Sequence, residues 1–380
     1  MRERIRFNNT AGLPLFYKMN TDYLQYLRFL TYCLEEQKGT LYPTKEQQDV
    51  PDLTDMDWGG LYQFSQEQAI VSIVLAGIDR LSKSRKVAIP QDLLFEWIGQ
   101  ANMIERQNKL VNKRVKELTA YLKEQGQESC ILKGQGNALM YPNPEIRTPG
   151  DIDVWIKGTK KEVVEFVHQR FHDMNVQYHH ISYPVFDDVE VEVHYYPSFC
   201  YNKWHNYRLQ QYFRENSEAQ FKNVCDDGYA VPTNAFNLVF QLSHTMRHFF
   251  TQGIGLRHAI DYYYLLQQDI TDNEKQEAVN VIKRCGMYKF FCAVLWIEKE
   301  ILGLEKNTDI AKVNEKSGRL VLREMLKGGN FGHRYGQHHR NTIIAYSKQM
   351  VYRLRFMSEF PSEPLSRPFA LVFDYIIKRM

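Results

Sequence analysis

The sequence lacks several features that would assign it quickly. None of its six cysteines, Cys33, Cys130, Cys200, Cys225, Cys285 and Cys292, forms a C-x-x-C pair, and the closest two lie seven positions apart. That spacing excludes a zinc ribbon or a disulfide framework and predicts reduced thiols in a cytoplasmic protein. No run approaches the ~18 apolar residues of a membrane span, and the first residues, MRERIRFNNTAG, lack the apolar stretch of a secretory signal. There is no low-complexity tract and no internal repeat. A dominant charge is also missing: 48 basic against 45 acidic residues leave a net charge of +3, too little for a dedicated, sequence-specific nucleic-acid binder.

What is present fits an ordinary globular protein of 380 residues, with 44% apolar and 13% aromatic positions, enough for more than one core. The one uneven stretch runs from His333 to the end, where eight Lys/Arg face three acidic residues. It reads as a solvated basic face, with a surface for an anionic partner as the alternative.

The patterning divides the chain into three. Residues 1–127 are read as a helical lobe. Ser65-Gln-Glu-Gln68 has the form of a capping box ahead of Ile70, Ile73, Val74, Gly77 and Leu81 at helical spacing. Pro90 opens a helix through Ile98, and a further charged helix starts near Asn102 and stops at Gly126. Residues 128–230 change style, with strands at Cys130–Lys133 and Asp151–Ile156 and a capping box at Thr159-Lys-Lys-Glu162. Two further runs, Tyr178 to Val185 and Val189 to Tyr195, read as a hairpin turning near Asp187-Asp188. Residues 231–380 return to helix, with Phe236, Val239, Phe240, Leu242, Met246 and Phe249 on one face. The expected class is α+β: a small mixed sheet between two helical lobes.

Chemistry concentrates in the middle third. On a strand, Asp151 and Asp153 project to one face while Ile152, Val154 and Ile156 face a core. Two adjacent carboxylates repel unless a cation lies between them, and hard divalent ions suit such a pair. The later strand repeats the logic: Val189, Val191 and Val193 on one face, Glu190, Glu192 and His194 on the other. If the two strands pair, three carboxylates converge as in two-metal phosphoryl or nucleotidyl transfer. Lys133-Gly134-Gln135-Gly136 ends the preceding strand, where glycines let backbone N–H groups approach an anion and the lysine can meet phosphate. A plain strand-to-helix turn is the competing interpretation. Arg147 is read equally as a phosphate ligand or as a pin for its own loop.

The segments Leu132-Lys-Gly, Tyr141-Pro, Arg147-Thr-Pro-Gly-Asp-Ile-Asp-Val and Val191-Glu-Val-His194 resemble the uncharacterised nucleotidyltransferase family of bacteria. That family belongs to the DNA-polymerase-β-like superfamily, which also holds aminoglycoside nucleotidyltransferases. The specific motifs cover about residues 128–200. The flanks match in style, as at Asp57-Trp58 and Leu256-Arg to Asp261. The resemblance implies a palm-like core in which Asp151, Asp153 and Glu192 bind metal and carry catalysis, with Glu190 as the rival third carboxylate. It implies two Mg²⁺ ions, Mn²⁺ being the substitute, and an NTP, by default ATP, seated on Lys133, Gly134, Gln135, Gly136 and Arg147. An NMP group then passes to the hydroxyl of an unidentified acceptor, a small molecule or a protein, and pyrophosphate leaves. Gln135 stands where the superfamily has serine, and a nucleotide-binding module without turnover is the alternative.

His244 and His248 are one helical turn apart, but the glutamate of an H-E-x-x-H zinc helix is missing. They are read as cleft lining, with His248, Arg257 and Asp261 near nucleotide or acceptor. His194 is read as a support to Glu192. His179-His180 and His338-His339 are read as surface residues.

Overall fold

The computed structural model describes residues 21–35, 53, 55–84, 87–330 and 351–367. His338-His339 and most of the basic C-terminal stretch lie outside them. Four helices precede the sheet: α1 (Thr21–Glu35), α2 (Trp58–Glu67), α3 (Val71–Ser84) and α4 (Gln91–Glu124). The sheet strands are β1 (Ser129–Ile131), β2 (Ile152–Ile156), β3 (His180–Ser182) and β4 (Val191–His194). The short α5 (Gln135–Ala138) follows β1, and α6 (Lys160–Arg170) crosses from β2 to β3. After the sheet come α7 (Lys203–Glu215), α8 (Ser217–Lys222), α9 (Asn234–Phe249), α10 (Leu256–Gln267), α11 (Asp272–Arg284), α12 (Tyr288–Trp296) and α13 (Glu315–Gly328).

The first helices depart from the sequence reading. Ser65 is inside α2, its hydroxyl donating to the Tyr62 carbonyl at 2.7 Å, so Ser65–Gln68 is not a capping box. The cap belongs to Asp57, whose carboxylate accepts from Gly60 N–H at 2.9 Å. Gln68 ends that helix and ties it elsewhere: its amide donates to the Met325 carbonyl and accepts from Leu256 N–H. The two helices expected after Pro90 are one continuous helix of 34 residues. Nothing between Ile98 and Asn102 breaks it, because Gly99, Gln100 and Ala101 are compatible with a helix whose tertiary contacts outweigh a weak propensity. Gly126, with φ of 72°, follows its end as expected.

The sheet order is β1-β2-β4-β3, with β2 and β4 parallel and the outer pairs antiparallel. β2 is central, and all five of its residues are buried. Ile152, Val154 and Ile156 pack with Val191 and Val193 against Val111, Val115, Leu118 and Leu122 of α4 and Val163 and Val167 of α6. Each such side chain, fully buried, contributes about 1.5–3 kcal/mol. The capping box on α6 forms as expected, Thr159 and Glu162 serving each other's backbone N–H groups. The opposite face of β2 carries Asp153 and Trp155. Trp155 meets Phe221 and Phe236, with ring centroids 4.7 and 6.0 Å away.

That second face opens onto the larger core, in which helices from both ends of the chain pack together. Thr31 of α1 donates to the Ile301 carbonyl at 2.8 Å. In the C-terminal stretch, Arg353 is buried and donates to the Phe250 carbonyl at 2.8 Å, so this basic residue is structural.

The loop between α5 and β2 is held by one buried ion pair. Arg147 donates Nε to Asp261 Oδ1 at 2.8 Å and Nη2 to Oδ2 at 2.9 Å. Tyr141 and Asn137 also donate to that carboxylate. Of the two roles left open for Arg147, the fork of its guanidinium is committed to the pin. Burial pushes the Asp261 carboxyl up, but Arg147 outweighs it and holds the group at about 2, below the ordinary 3.8.

Two outcomes follow. Asp261→Asn strands a buried guanidinium and lowers stability by about 3–5 kcal/mol, measured by chemical denaturation. Because the folded-state value is depressed, the pair's contribution is complete above pH 3.8 and is lost as pH falls through about 2. Denaturation midpoints across that range lose a corresponding slope in the variant.

Candidate functional site

The strand register brings the predicted carboxylates together. Asp153 pairs with Glu192 across the parallel β2–β4 ladder, so both side chains leave the sheet on the face turned to the helical core. Asp153 is 2% exposed. Its Oδ1 accepts from Lys133 Nζ at 2.7 Å and from His194 Nε2 at 2.8 Å. Burial raises this carboxyl, but those two donors outweigh it and hold it well below the usual range. Glu192 Oε2 lies 3.5 Å from His194 Nε2 and 3.3 Å from His180 Nδ1. The other nitrogen of His194 faces the Tyr196 carbonyl at 3.3 Å. The ring thus has an oxygen at each end. Burial lowers its basicity, but Asp153 and Glu192 outweigh that and raise it.

Asp151 precedes β2 and lines the cleft beside Asp153. Its carboxyl is raised to about 6, first by the Asp153 charge and then by burial. This is the signature of two negative charges sharing too little compensation. The hard carboxylate oxygens fit Mg²⁺ or Mn²⁺, with Asp153 the shared member: it lines the cleft with Asp151 and stands beside Glu192 on the neighbouring strand. Glu190, the rival third carboxylate, is exposed, while its carbonyl accepts from Ile152 N–H. Among the described residues, the carboxylate cluster is formed by Glu192, with Asp153 and His194.

The turn after β1 divides its four residues by role. Lys133 and Gly134 line the cleft. Gly134 has φ of 52°, and a Cβ there would stand 3.3 Å from the Asp151 carbonyl oxygen. The positive φ and the close approach together require glycine. Gly136 is needed for packing, since a Cβ would come within 2.9 Å of the Ile131 carbonyl oxygen. Its N–H donates to the Lys133 carbonyl. Gln135 is buried and turned away from the cleft, its amide donating to Asn112 and Asn108 of α4.

The cleft leaves about 50 Å³ of room for water-sized guests. Its far wall comes from α9 and α10: Gln241, His244 and Thr245, then Arg257 and His258. Arg257 donates to the Thr148 carbonyl at 3.1 Å. Gln241, Thr245 and His258 were missed in the sequence. Their signal was a polar stripe at helical spacing inside an otherwise apolar helix face. His244 and His248 are joined by Arg247, whose Nη2 donates to His244 Nδ1 at 3.3 Å and to His248 Nε2 at 2.9 Å. The pair thus accepts a guanidinium. His248 is also bonded to Gln252 and stands behind the lining, and Asp261 reaches the cleft alongside Arg147.

His179 and His180 are not surface residues. His179 is 5% exposed and its Nε2 lies 3.2 Å from His180 Nδ1. The hairpin of β3 and β4 forms as expected, but its face is covered: both rings lie beside His194, with centroids 5.2 and 5.3 Å from it, and Phe199 packs 4.9 Å from His179.

Comparison with known proteins found no match among curated proteins or solved structures. A family model described as uncharacterised nucleotidyltransferase matches residues 54–303, which takes in α2 through α12 and every residue of the site above. The chain belongs to the uncharacterised nucleotidyltransferase family.

Proposed function

We propose that the protein moves an NMP group from an NTP to an acceptor hydroxyl on a palm-like sheet, with Asp151, Asp153 and Glu192 as ligands for Mg²⁺. The observation that carries this reading is the parallel β2–β4 register, which sets Glu192 beside Asp153, itself part of a cleft lined by Asp151, Lys133 and Gly134. A bound Mg²⁺ would supply charge neutralisation of the triphosphate and acidify the acceptor hydroxyl.

The chain's own groups perform the rest. Lys133 leaves Asp153 Oδ1 for phosphate oxygens, its four-carbon stem allowing the move. The Gly134 backbone, unshielded by a Cβ, permits the triphosphate to approach closely. Glu192 faces the acceptor and takes its proton, and His194 fixes the orientation of both Asp153 and Glu192. Arg257 and His258 on the far wall position the nucleotide or acceptor. Because Arg147 is committed to Asp261, phosphate contact falls to Lys133 and Gly134.

A second reading has its own observation. Gln135 is turned to α4, so the turn offers no side-chain hydroxyl to phosphate. A module that binds NTP·Mg²⁺ without turnover fits that feature. Pyrophosphate release measured over a panel of hydroxyl acceptors, small molecules and proteins, separates the two.

In calorimetric titration with each NTP and Mg²⁺, the wild type binds. The Asp151→Asn/Asp153→Asn double variant loses affinity by about tenfold or more, as removal of charge-assisted contacts requires. Equal binding by both proteins would remove the proposal. Lys133→Met splits two affinities: NTP binding weakens by roughly tenfold, while Mg²⁺ alone binds more tightly because Asp153 loses its internal cation. Movement of both affinities in one direction would contradict the role given to Lys133.

A further inference from the structure

Three imidazoles on the β3–β4 side of the site, those of His179, His180 and His194, offer ligand atoms close enough to share one ion, and Glu192 lies beside two of them. His179 Nε2 and His180 Nδ1 are 3.2 Å apart. His180 Nδ1 and Glu192 Oε2 are 3.3 Å apart, and Glu192 Oε2 and His194 Nε2 are 3.5 Å apart. An ion with bonds of 2.0–2.1 Å to a tetrahedral donor set has edges of about 3.3–3.4 Å. The His179–His180 separation agrees with that edge. A ligand atom from each of His179, His180 and His194 lies within 4.8 Å of those from the other two.

The surroundings suit an ion as well. His194 is 1% exposed, and its Nδ1 is directed to the Tyr196 carbonyl. That is the arrangement that fixes a ligating imidazole with Nε2 towards the metal. The Phe199 ring, 4.9 Å from His179, walls one side. His180 and Glu192, 15% and 31% exposed, leave an approach from solvent. Imidazole nitrogens are poor ligands for Mg²⁺ and good ones for Zn²⁺, Mn²⁺ and their neighbours.

We propose that His179, His180 and His194 bind a divalent transition ion, a site distinct in donor chemistry from the all-carboxylate set of Asp151, Asp153 and Glu192. Glu192, of the carboxylate set, lies beside His180 and His194, and this places the imidazole-bound ion on the acceptor side. That last placement rests on the nucleotidyl-transfer reading; the metal site itself does not.

The test uses the full chain stripped by chelator and titrated with Co²⁺, Zn²⁺ and Mg²⁺, following heat and visible absorption. The expected result is one Co²⁺ per chain with the intense bands of four-coordinate cobalt, displaced by Zn²⁺ but not by a hundredfold excess of Mg²⁺. His180→Asn lowers affinity about tenfold or more, and Asp151→Asn leaves the stoichiometry unchanged. His179→Asn serves as the second variant, with circular dichroism confirming the fold of each. Absence of Co²⁺ uptake, weak six-coordinate bands, displacement by Mg²⁺, or equal affinity in folded His180→Asn and His179→Asn would overturn the site. Cobalt uptake without NTP binding would leave this inference intact and remove the function proposed above. NTP·Mg²⁺ binding without cobalt uptake would do the reverse.

Discussion

Everything at the site depends on the alignment of two short parallel strands. Pairing β2 with β4 so that Asp153 stands beside Glu192 concentrates negative charge on one buried face. The protein offsets that charge with the Lys133 ammonium and steadies it with the His194 ring, both on the same oxygen of Asp153. A one-residue slip would send both carboxylates into the valine-lined core between the sheet and α4. The alternation of Ile152, Val154 and Ile156, and of Val191 and Val193, forbids it, since those side chains would lose their burial. The same apolar pattern that stabilises the sheet therefore also sets the chemistry on its reverse face.

The helices complete what the sheet begins. α9 and α10 turn a polar stripe towards the carboxylates, and the Arg147–Asp261 pair fixes the loop leading into β2 against α10. A buried pair of this kind is costly to desolvate and is best regarded as a positioning device. It sets where Asp151 begins and how far the loop can open.

Much of this was legible in the sequence because it rests on period-two and period-3.6 patterns. Alternation puts Asp151 with Asp153 and Glu190 with Glu192, the family resemblance chooses Glu192 of the second pair, and Thr159 and Glu162 emerge from local hydrogen bonding. Long-range information was not legible. Ser65 and Gln68 carry the right residue types for a cap, but tertiary packing extends α2 through Ser65 and gives Gln68 to Met325 and Leu256. His179 and His180 follow a polar stretch and look solvated, but His194 packs beside both rings and Phe199 beside His179. Gln135 occupies a phosphate-turn position, and only the placement of Asn108 and Asn112 on α4 shows where its amide goes.

The unbroken α4 has a mechanical consequence. Its first half contributes Trp97 to the large helical core, where the indole N–H donates to the Val71 carbonyl. Its second half lies against the sheet through Val111, Val115, Leu118 and Leu122. A rod embedded at both ends cannot act as a hinge without bending the roughly four turns of hydrogen-bonded backbone between Trp97 and Val111. Adjustment to a guest molecule is therefore left to long, unbranched side chains at the rim, and the walls behave as a fixed mould.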